Sequence, residues 1–107
     1  MLSLTGGMKY VYCEGNVSFH YKWDGLESYI KYVLNEDPRS GKVFIFIGKT
    51  RTTAKILHRE SNGLTLYVRK LSEGRFQIPQ LNEDKRTCNL DYKNFVCLIL
   101  GEKCVGE

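Results

Sequence analysis

Residues 53–71 decide the fold, and they read TAKILHRESNGLTLYVRKL. The segments 53–60 and 64–71 are rich in β-branched and large apolar residues, which favour strands. Between them, Ser61-Asn62-Gly63 provides a three-residue loop with glycine last, which suits a type I turn followed by a left-handed residue. The sequence therefore predicts a β-hairpin.

The loop length also predicts which hairpin side chains share a face, because a slip of one residue moves every side chain to the other face. With three loop residues, Ile56 lies opposite Val68 on an apolar face directed at the core. A two-residue loop, Asn62-Gly63, would instead bring basic side chains beside apolar ones. The three-residue loop separates the faces better, and it places these residues together on the outer face: Lys55, Leu57, Arg59, Thr65, Tyr67 and Arg69.

Three further strands are predicted, at residues 9–13, 42–48 and 75–78. In the second of these, residues 43–47 are apolar at every position, which is typical of a strand covered on both faces. The polar residues 80–89 are predicted to form a loop.

Two helices are predicted, at residues 25–35 and 92–100. Asp24 is a suitable N-cap for the first helix, and Glu27 three residues later completes a capping box. Asp91 and Gly101 fit the start and the end of the second helix. The predicted fold class is therefore α+β, with a mainly antiparallel sheet of four or five strands packed with two helices.

The length of 107 residues fits a single domain spanning 1–107, with an ordered core at about 9–101 and flexible termini. Hydrophobic residues make up 42% of the chain, enough for one core. No apolar run approaches the roughly 18 residues that a membrane span needs. The N-terminal residues lack the basic and apolar regions of a secretory signal, so a cytoplasmic location is expected.

The four cysteines, at positions 13, 88, 97 and 104, include no Cys-x-x-Cys pair, and both histidines lie far from them in sequence. Free thiols are therefore expected, and no metal site or cofactor is predicted. No catalytic residue is predicted either. The acidic side chains Asp24 and Glu27 are explained by helix capping, and His58 falls on the inward face of a strand. The common nucleotide-binding and metalloprotease motifs are also missing from the sequence.

Positive charge is concentrated in residues 42–75, which hold eight basic side chains against only Glu60 and Glu73. Lysine and arginine neutralise phosphates, and aromatic rings stack on exposed bases. This segment therefore predicts a surface that binds nucleic acid or another partner, although an ordinary solvated sheet face has the same composition. The candidate contact residues are Lys49, Arg51, Lys55, Arg59, Tyr67, Arg69, Lys70 and Arg75.

Several short motifs occur in a particular order: Asp24-Gly25-Leu26, then residues 37–41 (DPRSG), residues 66–71 (LYVRKL) and residues 74–79 (GRFQIP). In this order, over about residues 9–102, the chain resembles the TnpB, or Orf2, accessory protein of the insertion sequence 66 family of bacterial transposons. It departs from that family at residues 18–21, where a basic pair is usual, and at Ile78, where tryptophan is frequent.

The resemblance implies a non-enzymatic accessory protein, encoded beside a separate transposase that carries the catalytic acids. The leading hypothesis is that it contacts transposon DNA, the transposase or both through the basic hairpin face. The alternative is a purely protein-binding adaptor with no nucleic-acid contact. A small nuclease is the third hypothesis, and self-association through a strand edge stays open.

Overall fold

The computed structural model describes residues 4–14, 17, 20–82 and 84–101. It confirms the α+β class, with two helices and a five-stranded, mostly antiparallel sheet. In chain order the elements are β1 (Tyr10–Cys13), α1 (Trp23–Tyr32), β2 (Val43–Ile47), β3 (Thr53–Glu60), β4 (Gly63–Lys70), β5 (Thr87–Leu90) and α2 (Tyr92–Leu100). The predicted flexibility of residues 102–107 concerns positions outside the described part of the chain.

The sheet has the strand order β4-β3-β2-β1-β5. β1 and β2 are parallel and are joined through α1, whereas every other neighbouring pair is antiparallel. All five strands therefore have one end at the same edge of the sheet, where β1, β2 and β4 finish and where β3 and β5 begin. That edge carries the candidate site.

Each face of the sheet is covered by one helix, because the central strands are apolar on both sides. On the α1 side, Leu26 and Ile30 pack with Phe44 and Leu57. On the α2 side, Phe95 stacks on Tyr10, with ring centroids 4.1 Å apart, within a separate core cluster. The alternation along β2 assigns its residues to the two cores in turn, which confirms the prediction of a strand buried on both faces.

The two helix starts differ in how they are capped. The Asp91 side chain accepts a hydrogen bond from the Asn94 backbone N–H at 2.8 Å, so the predicted cap of α2 is confirmed. The predicted capping box of α1 is wrong. That helix begins at Trp23 after Lys22, which makes no side-chain cap, and Asp24 lies inside the first turn. A carboxylate there still interacts favourably with the helix dipole.

The fifth strand was predicted in the wrong place. Residues 75–78 form no strand; Phe76 is buried and donates one backbone hydrogen bond, to the carbonyl of Arg51 at 2.7 Å. The predicted loop 80–89 instead leads into β5, which pairs with the outer side of β1. β5 has few apolar residues because it is an edge strand, so its local sequence gives little sign of its pairing.

The predicted register of the hairpin is also wrong. Glu60 pairs with Gly63, so the loop has two residues, Ser61 and Asn62. The prediction assumed that one face of the hairpin meets solvent. In the fold α1 covers that face, and Leu57 and Leu66 pair with each other in the core beneath it. Burial of leucines on this side selects the observed register.

Two cysteines, Cys13 and Cys88, are free thiols as predicted, and burial raises the pKa of the Cys13 thiol. Cys97 is disulfide-bonded, so the expectation of a free thiol is wrong there. Cys104 lies outside the described residues. Within the described part of the chain, no helix has both the length and the apolar character needed to cross a membrane.

Candidate functional site

The hairpin does not present its basic residues on one surface. Because the register differs by one residue from the prediction, Lys55 and Arg59 lie on the α1 side of the sheet, opposite Val68 and Leu64. Tyr67 and Arg69 lie on the α2 side, and Tyr67 packs against the core there. The predicted basic, aromatic hairpin face is therefore wrong as a single surface.

Lys55 has a structural environment. Its side chain is buried at 8% exposure, and its Nζ donates a hydrogen bond to the carbonyl of Tyr21 at 2.7 Å. Burial lowers the pKa of Lys55, and the nearby charge of Lys22 lowers it further. This hydrogen bond fastens the segment before α1 to the sheet.

Arg69 also makes a structural contact. Its Nε donates to the carbonyl of Ile99 at 2.6 Å, in the last turn of α2. Carbonyl groups at the end of a helix lack partners within the helix, and a cation there interacts favourably with the helix dipole. Arg69 thus fastens the end of α2 to β4.

The other predicted residues gather at the edge of the sheet where β1 and β2 finish. Lys49 and Arg51 lie in the connection that follows β2, and Lys70 pairs with Thr53 at the start of β3. Arg75 precedes Phe76, whose N–H is bonded to the Arg51 carbonyl. Sequence reasoning missed a fifth member, Arg86, whose carbonyl accepts a hydrogen bond from the Glu14 N–H at 2.8 Å. We call these five residues the basic end: Lys49, Arg51, Lys70, Arg75 and Arg86.

A cleft of about 1160 Å³ opens at the basic end. It lies beyond the carboxyl ends of the parallel strands β1 and β2, a common position for ligand sites in sheets that contain parallel strands. Its charged members are Lys49, Arg51 and Arg86, against one carboxylate, Glu14. The remaining residues that line it are Tyr12, Val17, Tyr29, Val33, Ile47, Gly48, Thr50, Thr53 and Ile78.

The connection between β2 and β3 holds Arg51 in a defined backbone conformation. The Gly48 N–H donates to the Thr53 carbonyl at 2.9 Å, and the Arg51 N–H donates to the Gly48 carbonyl at 2.9 Å. Arg51 has a φ of 64°, which is uncommon for a residue with a side chain and costs on the order of 1 kcal/mol. Such strained positions cluster at functional sites.

Two tyrosines in the cleft remain neutral phenols near pH 7. Tyr12 is 4% exposed, and its pKa is raised to about 12, mainly by burial and to a lesser degree by the charge of Glu14, whereas Arg51 opposes the shift. Burial also raises the pKa of Tyr29, and the charge of Arg86 together with a hydrogen bond from its side chain works against this. Both phenols therefore keep their hydroxyl proton and add no negative charge to the cleft.

The ring of Tyr29 is fixed from two sides. It meets the Phe46 ring edge-on, with centroids 6.2 Å apart and an interplanar angle of 74°. Its hydroxyl donates a long hydrogen bond, of 3.5 Å, to the Glu14 carbonyl. Tyr29 thus connects α1 to the end of β1 and to Arg86.

Across the part of the chain that the structure describes, no group of three or more histidine, cysteine or acidic side chains is placed to hold a metal ion. His58 lies on β3 and is 5% exposed, as its predicted inward position requires. Its Nδ1 is 3.7 Å from a Glu60 carboxylate oxygen. What the cleft offers is cations, phenols and threonine hydroxyls, which are groups suited to binding an anion.

The fold and this site define a small α+β protein with a basic cleft at the ends of its parallel strands. The chain belongs to the family described as IS66 Orf2 like protein, whose model matches residues 8–105, nearly the whole chain. Membership confirms the resemblance that the ordered motifs indicated, and it implies an accessory protein of a transposon. No curated protein sequence and no solved structure matches the chain.

Proposed function

We propose that this protein is a non-enzymatic accessory of transposition that acts in the cytoplasm and contacts nucleic acid through the basic end. The observation that carries the proposal is the convergence of Lys49, Arg51 and Arg86 on one cleft, against a single carboxylate. This surface replaces the hairpin face as the proposed contact, since Lys55 and Arg69 are engaged in hydrogen bonds that hold the fold together.

The number of basic side chains at this end of the sheet suits a phosphate backbone better than a single small anion. Lys70 and Arg75 extend the positive surface beyond the cleft, on the neighbouring strand end and on the segment that follows it. Each basic side chain that neutralises a phosphate releases condensed counterions, which favours binding at low salt. Several cations from separate segments at one end of a sheet are therefore typical of a surface that contacts a charged strand.

A salt titration tests this proposal. The full chain is titrated against fluorescently labelled duplex DNA from a transposon end at several salt concentrations, with and without the transposase. If about five phosphates are neutralised, log K falls against log salt with a slope of roughly −4 to −5. Absence of binding at low salt, both alone and with the transposase, would contradict the proposal.

A protein-binding adaptor is the second candidate, and α1 favours it. Trp23 and Tyr32 on this helix are 45% and 72% exposed, and aromatic side chains are enriched where proteins bind one another. The adaptor hypothesis predicts that the chain copurifies with the transposase and that replacing Lys49, Arg51 and Arg86 together by Ala leaves this copurification unchanged. Replacing Trp23 and Tyr32 together by Ala should abolish copurification with the transposase.

A further inference from the structure

The cleft contains more than a phosphate-binding surface requires. Its charged members Lys49, Arg51 and Arg86 are solvent-exposed, and so is Val33, which is 40% exposed. Its other aliphatic members, Val17, Ile47 and Ile78, are half-buried. The cations and Val33 therefore lie at the mouth, and the other three aliphatic side chains lie deeper. Phosphates would contact only the cations at the mouth of the cleft. The half-buried apolar side chains therefore suggest that another part of the ligand enters the cleft.

We infer that the cleft accepts an unstacked base of single-stranded nucleic acid, with the flanking phosphates held by the cations at its mouth. This inference rests on the proposed function and names the form of nucleic acid that the same site prefers. Basic grooves with aromatic side chains bind single strands in this way, because every base has a face that can stack on a ring.

The size of the cleft agrees with this occupant. Pockets that enclose small organic ligands measure about 300–1,000 Å³. The cleft, at about 1160 Å³, is large enough for a nucleoside and its neighbouring phosphates. The Arg51 and Arg86 side chains come from different sheet connections, before β3 and before β5. They are thus placed to contact phosphates on two sides of one base.

Tyr29 is the ring that such a base would contact. It is half-buried in the wall of the cleft, whereas Tyr12 is almost fully buried. Contacts with Phe46 and Arg86 hold Tyr29 in place, so little freedom is lost when a base binds. Thr50 and Thr53 also line the cleft and add neutral hydroxyl groups to it.

Duplex DNA cannot use this interior without first extruding a base. In a duplex the bases are stacked and paired, and extrusion costs free energy that a single strand largely avoids. Duplex therefore gains only the phosphate contacts, whereas a single strand gains the phosphate and the base contacts together. We expect single strands to bind at least about tenfold more tightly, since one base–aromatic stack is worth a factor of that order or more.

The experiment measures the affinity of the full chain for an oligonucleotide of about 16 nucleotides. The single-stranded form and the annealed duplex are compared at the same salt concentration. A cleft-filling variant, Val33→Trp, tests the site, since Val33 lines the cleft at the end of α1. Ser28→Trp is the matched control on the exposed side of the same helix. We expect Val33→Trp to lose the preference for single strands and Ser28→Trp to keep it. Thermal melting checks that both variants fold.

A second measurement uses the unaltered protein and needs no variant to fold. Photocrosslinking to a single strand that carries 5-bromodeoxyuridine should mark Tyr29. Crosslinks to Tyr67 on the hairpin would overturn the inference, as would an unchanged preference in Val33→Trp. The protein could instead bind single strand and duplex with equal affinity and lose this binding when Arg51 and Arg86 are replaced. That result would overturn the inference and leave the proposed function standing. Binding to neither form would overturn both.

Discussion

The hairpin and four of the five residues of the basic end derive from the same positively charged segment, residues 42–75, yet the fold uses their charges differently. In the hairpin, successive side chains point to opposite faces, and Lys55 and Arg69 bond to backbone carbonyls of distant elements. At the basic end, side chains from separate connections surround one cleft. Charge density in a sequence therefore does not identify a binding surface until the strand register and the covering elements are known.

The largest expected effect is on nucleic-acid affinity. Replacing Arg51 and Arg86 together by Ala removes two charge-assisted contacts, each worth about 1.5 kcal/mol or more. We expect affinity to fall by more than about a hundredfold and the salt slope to decrease by about two. Fluorescence titration at several salt concentrations measures both quantities.

The matched control for this variant is Arg39→Ala combined with Arg59→Ala, which removes the same charge at exposed or half-buried positions outside the cleft. It should weaken binding by a few-fold only. An equal loss in the two double variants would mean that binding depends on net charge, which would remove the distinction between the hairpin and the basic end.

The next effect is on stability, and it concerns the hairpin. Arg69→Ala removes the hydrogen bond to the Ile99 carbonyl, and we expect the free energy of unfolding to fall by about 1–2 kcal/mol. Arg59→Ala on the opposite face should cost less than about 0.5 kcal/mol. Chemical denaturation measures the difference. A similar stability for both variants would indicate that Arg69 is not needed to hold α2.

A smaller effect is expected where α2 ends. Gly101 has a φ of 74°, and an added Cβ would lie 3.0 Å from a Leu71 side-chain carbon. Gly101→Ala should therefore lower the free energy of unfolding by about 1 kcal/mol. Gly63→Ala, where a Cβ meets nothing within 4 Å, should be neutral or slightly stabilising. Thermal melting of the two variants provides the comparison.

The smallest effect is expected for Lys55→Met. This change removes the hydrogen bond to the Tyr21 carbonyl, but it also removes a buried charge, which is unfavourable. Because these two effects oppose each other, stability near pH 7 should change by less than about 1 kcal/mol. Nucleic-acid affinity should stay within about twofold of the unaltered protein. A large loss of affinity would return Lys55 to the binding surface.

The same variant isolates a pH dependence. Burial lowers the pKa of Lys55 in the folded protein below its ordinary value of 10.5. At Lys55 the unfolded chain therefore binds more protons between these two pKa values, and the contribution of this side chain to stability rises with pH across that window. Lys55→Met should lack this rise. Denaturation of both proteins at a series of alkaline pH values measures the difference, and parallel curves would contradict it.

The features that the sequence predicted correctly depend on local signals. The apolar run of β2 requires two covered faces wherever it lies, and the Asp91 cap and the Gly101 stop act within one helical turn. The existence of the hairpin follows from two β-rich segments that flank a turn. These choices are settled by residues close together in the chain.

The features that sequence reasoning missed depend on distant partners. The hairpin register is selected by α1, which covers the buried Leu57 and the half-buried Leu66 on the face expected to meet solvent. β5 forms because its backbone pairs with the outer edge of β1, which is distant in the sequence. That pairing brings Arg86 to the same cleft as Arg51. The composition of residues 80–89 alone therefore did not indicate a role for Arg86.

The central claim is that the basic end, and not the hairpin, contacts nucleic acid. Backbone amide NMR of the unaltered protein during titration with a single-stranded oligonucleotide tests it most directly. The largest chemical-shift changes should fall on Lys49, Arg51, Thr53 and Arg86. If the largest changes fall instead on residues 59–66 of the hairpin while residues 48–51 remain unchanged, the claim is contradicted.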